Sequence, residues 1–212
     1  MPNLTDAELR LLSLLTWKTR AAADVQLASV VGITDSERPA FVRRLKQLAR
    51  RGFLSRHCVS IALLVPEAPL VNWLPDLPEA DWQAVAWKLQ HRWNELSATR
   101  VWINVATRQA ASVVGGVGGR LRQPMQLQHD LAMTGVYLVR QSLSVPGEIW
   151  IGEDAYRLFP QTKARIKVPD ALIVDHDYQT RRVIELGGLY GPRRLKGFHR
   201  HWASRRTPYE IW

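Results

Sequence analysis

The stretch that most narrows the choice of fold is VPDALIVDHDYQTRRVIEL, residues 168–186. Two aliphatic runs flank a polar segment, Asp175 to Thr180, and short apolar runs around a turn-forming segment make an antiparallel hairpin. With the turn centred between Asp177 and Tyr178, Asp170 lies opposite Glu185, so two carboxylates share one end of a sheet. Like charges that close repel, and one pKa rises unless a cation or basic group offsets them. Two such oxygens also suit half of a Mg²⁺ coordination shell. The rest of the chain must supply the layers that cover this hairpin.

The N-terminal segment reads as helical. Thr5 followed by Glu8 has the spacing of a capping box, and Leu9, Leu11, Leu12, Leu14 and Leu15 give an apolar face to a helix that stops near Lys18. Residues 21–31 form a second short helix ended by Gly32, and residues 35–51 a third, with Pro39 in its first turn. That third helix turns Phe41, Val42, Leu45 and Leu48 inward and Arg43, Arg44, Lys46, Arg50 and Arg51 outward. After Gly52 the period changes to that of a strand, which Pro66 ends. Three short helices, the last of them basic, followed by a strand is the order of a winged helix-turn-helix, whose third helix enters the DNA major groove. Arg43, Arg44, Lys46 and Arg50 are then the residues expected to touch DNA, against the plainer reading of a solvated basic face.

Residues 66–78 are rich in proline and make a linker. The expected division is a winged-helix domain at 1–65, the linker at 66–78, and an α/β domain at 79–212. Within the last, residues 79–97 form an amphipathic helix with Trp82, Val85, Trp93 and Leu96 near one stripe and Trp87 and Leu89 widening it. Tryptophans at that spacing are packing residues rather than stacking platforms for bases. A strand at 100–106 precedes a glycine-rich segment, 115–119, which lacks the Gly-Lys-Ser/Thr of a phosphate loop and reads as a flexible loop. Residues 126–143 resume helical periodicity. His129 and Asp130 are adjacent there, so their side chains point about 100° apart and make no shared site by themselves. Residues 147–154 read as a strand and turn, with Glu148, Glu153 and Asp154 as surface charges.

Charge separates the ends from the middle. The net charge is +10, with ten Lys/Arg against five acids in residues 1–65, seven against nine in 66–156, and twelve against five in 157–212. Two separated basic regions point to two places that hold phosphate. In the second, the helix starting at Pro192 puts Leu195, Phe198 and Trp202 on one face and leaves Arg193, Arg194, Lys196, Arg200, Arg205 and Arg206 on its basic complement. The closing TPYEIW adds a last strand. The single cysteine, Cys58, excludes an intrachain disulfide and a Cys-rich zinc site, in keeping with a reducing cytoplasm. No run of apolar residues is long enough for a membrane span and no secretory signal opens the chain, so no membrane partner is expected.

Pro169-Asp170 and Glu185 match the pattern by which restriction-endonuclease-like nucleases hold Mg²⁺: an Asp preceded by Pro, then Glu-x-Lys on a following strand, the Lys helping to orient the attacking water. Position 187 is Gly187, so the lysine is missing, and Lys196 on the next helix is the residue that would substitute for it. Together with the winged-helix pattern, the Gln128-His129-Asp130-Leu131 helix followed by Val136-Tyr137-Leu138, and Ile184-Glu185-Leu186-Gly187-Gly188, the hairpin resembles the replication-relaxation family of plasmid and mobile-element proteins. The resemblance implies an α+β chain: a winged helix-turn-helix followed by an α/β domain similar to the PD-(D/E)XK restriction-endonuclease-like fold. It also implies a role in replication or maintenance of a mobile element. The acid pair falls on Asp170 and Glu185, and the departure at Gly187 makes the expected nuclease-like module catalytically degenerate.

DNA is the expected partner, through Arg43, Arg44, Lys46, Arg50, Arg193, Arg194, Lys196 and Arg200, and binding requires no cofactor. A homodimer would set two such helices on paired half-sites. One alternative is a Mg²⁺-dependent DNA endonuclease using Asp170 and Glu185 as metal ligands and Lys196 as the catalytic cation. Another is a winged-helix transcriptional regulator whose C-terminal domain binds a partner protein.

Overall fold

The computed structural model describes residues 4–119, 121–158 and 168–212. The fold is mixed α+β and is built on two sheets. The predicted capping box starts the first helix, α1 (Asp6–Ser13): the Glu8 N–H donates to the Thr5 hydroxyl at 3.3 Å and the Thr5 N–H to the Glu8 carboxylate at 2.9 Å. A wider π-helical turn, Leu14–Lys18, continues it to the predicted stop. Next come β1 (Ala22–Ala23), α2 (Asp24–Val30) and α3 (Arg38–Arg50). Residues 21–23, expected to be helical, include a strand because Ala22 and Ala23 pair with Asn104 and Ile103 far along the chain.

The first sheet has the order β1-β4-β2, with β2 (Leu54–Ala62) and β4 (Ala98–Ala106) paired antiparallel along their full lengths, from Leu54↔Ala106 to Ala62↔Ala98. The chain therefore leaves this sheet after β2 and returns to it. Between the two strands it runs through β3 (Val71–Trp73) and α4 (Trp82–Asn94). The expected linker, 66–78, thus contains an edge strand, β3, paired with the last strand of the chain. Prolines at 66, 69, 75 and 78 flank it, as suits a strand bonded on one side only. A sequence boundary at 65 or 79 does not separate the two sheets.

Asp81 caps α4 and accepts from the Gln83 and Ala84 N–H groups at 3.0 and 3.1 Å, so the helix starts three residues later than its periodicity predicts. Its buried stripe is Trp82, Val85, Ala86 and Leu89; Trp87 points outward and stacks on His91. After β4, Thr107 caps a short helix, α5 (Arg108–Val114), which Gly115 ends at φ 76°. The glycine-rich segment behind it is not a free loop. The Val117 N–H donates to the Thr16 carbonyl at 3.0 Å and the Gly119 N–H to the Ala106 carbonyl at 2.8 Å. A Cβ at Gly118 would lie 2.1 Å from the Thr107 carbonyl oxygen, so close backbone approach explains that glycine.

The remaining elements are α6 (Pro124–Ser142), β5 (Ile149–Gly152), α7 (Glu153–Tyr156), β6 (Ala171–Val174), β7 (Thr180–Glu185), α8 (Pro192–Ala203) and β8 (Tyr209–Ile211). The hairpin pairs Ala171↔Ile184, Leu172↔Val183 and Ile173↔Arg182, the register read from the sequence, before a bulge at Val174. The Asp175 carboxylate closes its turn by accepting from the Asp177 and Gln179 N–H groups at 3.0 and 2.8 Å. The predicted last strand forms as β8, parallel to β7 and joined to it through α8. The second sheet then reads β3-β8-β7-β6-β5.

Alternation along the second sheet feeds two of the three cores among the described residues. Leu172, Val174, Val183, Tyr209 and Ile211 face α4 and α8, packing with Leu89, Leu195, Phe198 and Trp202. Ala171, Ile173 and Ile184 face α6, packing with Ala132, Met133 and Val136, and this core continues without a break into Leu11, Leu27, Leu45, Leu48 and Phe53 of the N-terminal helices. No helix among the described residues is long and apolar enough to cross a membrane.

Candidate nucleic-acid interface and carboxylate cleft

On α3 the buried residues are Phe41, Leu45 and Leu48, with Val42 half-buried at their edge. Arg43, Arg44, Lys46 and Arg50 are all exposed, as their position opposite that stripe requires. Among the described residues none of the four has a carboxylate within 4.0 Å, so their charges face solvent unneutralised. The same stretch holds one internal pair, Arg38 with Asp35 at 2.7 Å, which spares this face.

A second group of cations sits on α8. Arg193, Arg194, Lys196 and Arg200 are exposed. Lys196 does not reach the carboxylate hairpin: its ammonium lies 4.0 Å from Glu79, ahead of α4. Arg194 points the other way and lines the cleft above the hairpin. Of the cations on this helix, Arg194 is thus the one beside the acid pair.

That cleft, of about 620 Å³, is walled by Trp93, Gln126, His129, Glu153, Asp170, Tyr190 and Arg194, with Met125 and Leu189 exposed at its rim. One register step beyond Ala171↔Ile184 puts Asp170 opposite Glu185, and the link is direct: the Leu186 N–H donates to Asp170 Oδ2 at 2.8 Å. Glu185 is 3% exposed and accepts from the Tyr190 hydroxyl at 3.0 Å. Burial, then the charges of Glu185 and Asp170, push the Tyr190 phenol well above its ordinary pKa, which keeps it a neutral donor. The Arg194 guanidinium lies 3.6 Å above the centre of the Tyr190 ring and donates to its oxygen at 2.8 Å.

Helical geometry sets adjacent side chains apart, yet His129 and Asp130 come within ion-pair distance. His129 Nδ1 is 3.8 Å from Asp130, too long for a hydrogen bond. The partner comes from the hairpin instead: His129 Nε2 lies 3.2 Å from Asp170 Oδ2. Burial alone would lower the imidazole pKa, but Asp130 and Asp170 outweigh it and raise the pKa to about 10, so His129 is a cation in the neutral range. Asp130 is 4% exposed and is held by Gln126 at 2.9 Å and Arg20 at 3.5 Å. Arg20 also grips Asp154 with both ends of its guanidinium at 2.5 Å and Glu153 at 2.7 Å. Glu153 and Asp154, read from the sequence as surface charges, therefore tie α7 to Arg20, between the π-helical turn and β1. Only the pairing of segments more than a hundred residues apart reveals these partners.

The polar atoms of the hairpin acids are already engaged within the fold. His129 Nε2 lies 3.2 Å from Asp170 Oδ2, the Leu186 N–H donates to the same oxygen, and the Tyr190 phenol donates to Glu185. Among the described residues no group of three or more His, Cys, Asp or Glu side chains is placed to hold a metal. The missing lysine has a structural counterpart: a Cβ at Gly187 would lie 2.5 and 2.6 Å from the two methyls of Leu89, itself fully buried. Helix α4 fills the space a side chain at position 187 would need. The chain matches no protein-family model, and it has no significant match among curated proteins or solved structures.

Proposed function

We propose that this chain is a DNA-binding protein that grips the duplex through α3, and that its carboxylate hairpin belongs to a nuclease-like module that keeps its shape without cutting. The order α1, β1, α2, α3, β2, β4, three helices against a three-stranded antiparallel sheet, supports a winged helix with α3 as the recognition helix. The observation that carries the reading is the face of α3, where Arg43, Arg44, Lys46 and Arg50 are exposed and lack acid partners among the described residues. Such a face costs folding through self-repulsion and is repaid when phosphates neutralise it. The His129 ring and the Leu186 N–H on Asp170, with the filled space at Gly187, support a module without hydrolytic chemistry. A role in replicating or maintaining a mobile element rests on the resemblance described above.

Fluorescence anisotropy with a labelled duplex tests it. The logarithm of the binding constant should fall linearly with the logarithm of salt concentration, and Arg43→Ala with Arg44→Ala should reduce that slope by about 2. Affinity indifferent to salt, or to both substitutions, overturns the proposal. Supercoiled DNA in Mg²⁺ should remain intact; nicking that Asp170→Ala abolishes would make the module an endonuclease.

A further inference from the structure

Helix α8 contains a glycine that the fold does not require. Gly197 lies in the middle of the helix, is exposed, has no positive φ, and a Cβ built on it would meet nothing within 4 Å. Neither a turn nor close packing inside the protein accounts for it. In a helix interior glycine is less favourable than alanine. At about 100° per residue, Gly197 falls on the solvent side of the helix, about 130° round from the centre of the buried stripe of Leu195, Phe198 and Trp202. Arg193, Arg200 and Lys196, at i−4, i+3 and i−1, lie beside it about 40°, 60° and 100° round the helix on one side, all exposed. Arg193 and Arg200 have no carboxylate within 4.0 Å among the described residues, and Lys196 is only at that limit from Glu79.

We propose that this face of α8 is a second DNA-binding surface, on which the sugar–phosphate backbone lies against the bare helix backbone at Gly197 while Arg193, Lys196 and Arg200 close on the flanking phosphates. A missing side chain permits an approach that any other residue would hold off by the thickness of a Cβ, and the three cations supply the complementary charge. The inference rests on the DNA-binding reading above and extends it to a second helix.

The test separates the two claims, using the full chain, a labelled duplex, and four variants: Gly197→Ala, Gly197→Gln, Arg193→Ala with Arg200→Ala, and Arg43→Ala with Arg44→Ala. Gly197→Ala should raise Tm by about 2 °C, because it removes a helix-interior glycine, and yet weaken DNA binding several-fold. Gly197→Gln, neutral but bulkier, should weaken it further. The Arg193 and Arg200 pair should cost about tenfold and reduce the salt slope by about 2. Stabilised Gly197 variants that bind as well as the parent chain overturn the close-approach site. If they do so while the Arg43 and Arg44 pair loses binding, α8 is excluded and the α3 reading stands. A parent chain that binds no duplex removes both.

Discussion

His129 is where the charges of the cleft meet. Its ring is held between Asp170 at 3.2 Å and Asp130 at 3.8 Å, and its pKa rises from 6.5 to about 10 although burial opposes the charge. A group whose pKa is higher in the folded chain contributes its stability fully below its unfolded pKa and loses it as pH climbs through the folded value. The His129 contribution is therefore complete below about pH 6.5 and gone above about pH 10. Other groups titrate in the same window, and Lys18, whose pKa burial lowers, pulls the other way. The informative quantity is the difference in Tm between the parent chain and His129→Gln. It should be largest near pH 6 and shrink steadily toward pH 10; a constant difference would show that folding does not raise the His129 pKa. The sequence revealed Asp170 and Glu185 because a hairpin is a local object, set by two apolar runs and the turn between them. It concealed His129, since a rule about adjacent helical side chains says nothing of Asp170, 41 residues away at the foot of the hairpin.

At the scale of elements, α4 decides what the hairpin can do. Its Leu89 occupies the space above Gly187, while Arg92 and Trp93 donate to the Gly187 carbonyl, both at 3.0 Å. The backbone of this stretch is held from both sides, because the Gly187 N–H also donates to the Trp212 carbonyl at 2.9 Å. Restoring the missing motif residue is thus a packing problem before it is a chemical one. Gly187→Ala should destabilise the chain by about 1–3 kcal/mol, the usual cost of overpacking a filled core, and Gly187→Lys by more, without creating Mg²⁺-dependent cleavage. Denaturant melts and a plasmid-nicking assay check the two halves; a stable lysine variant that nicks DNA would contradict this account of α4. The apolar spacing of α4 is legible in the sequence, yet Trp87, which the spacing places on the apolar stripe, is exposed. A broad tryptophan-rich stripe does not identify its centre, which the cap at Asp81 and the contact with α8 fix at Trp82, Val85, Ala86 and Leu89.

Across the whole molecule the two sheets are interleaved rather than sequential. Residues 63–97 leave the first sheet at the far end of β2 and lend β3 and α4 to the second sheet, and β4 returns to become the middle strand of the first. One core runs from Leu11, Leu27 and Leu45 through Ala132 and Val136 to Ile173 and Ile184. The proline-rich stretch resembled a linker because composition reports turns and breaks, whereas the pairing of β2 with β4 and of β3 with β8 depends on contacts tens to more than a hundred residues apart. The consequence concerns cooperativity. A fragment of residues 1–65 would carry β1 and β2 without β4, the strand between them, and so would have no sheet at all to close its helices. It should show no cooperative melt by circular dichroism. The full chain should unfold in one calorimetric transition whose measured enthalpy equals its van't Hoff value. Two separate transitions, or a 1–65 fragment that melts sharply by itself, would mean that the N-terminal helices form an independent unit and that the shared core contributes little to holding the sheets together.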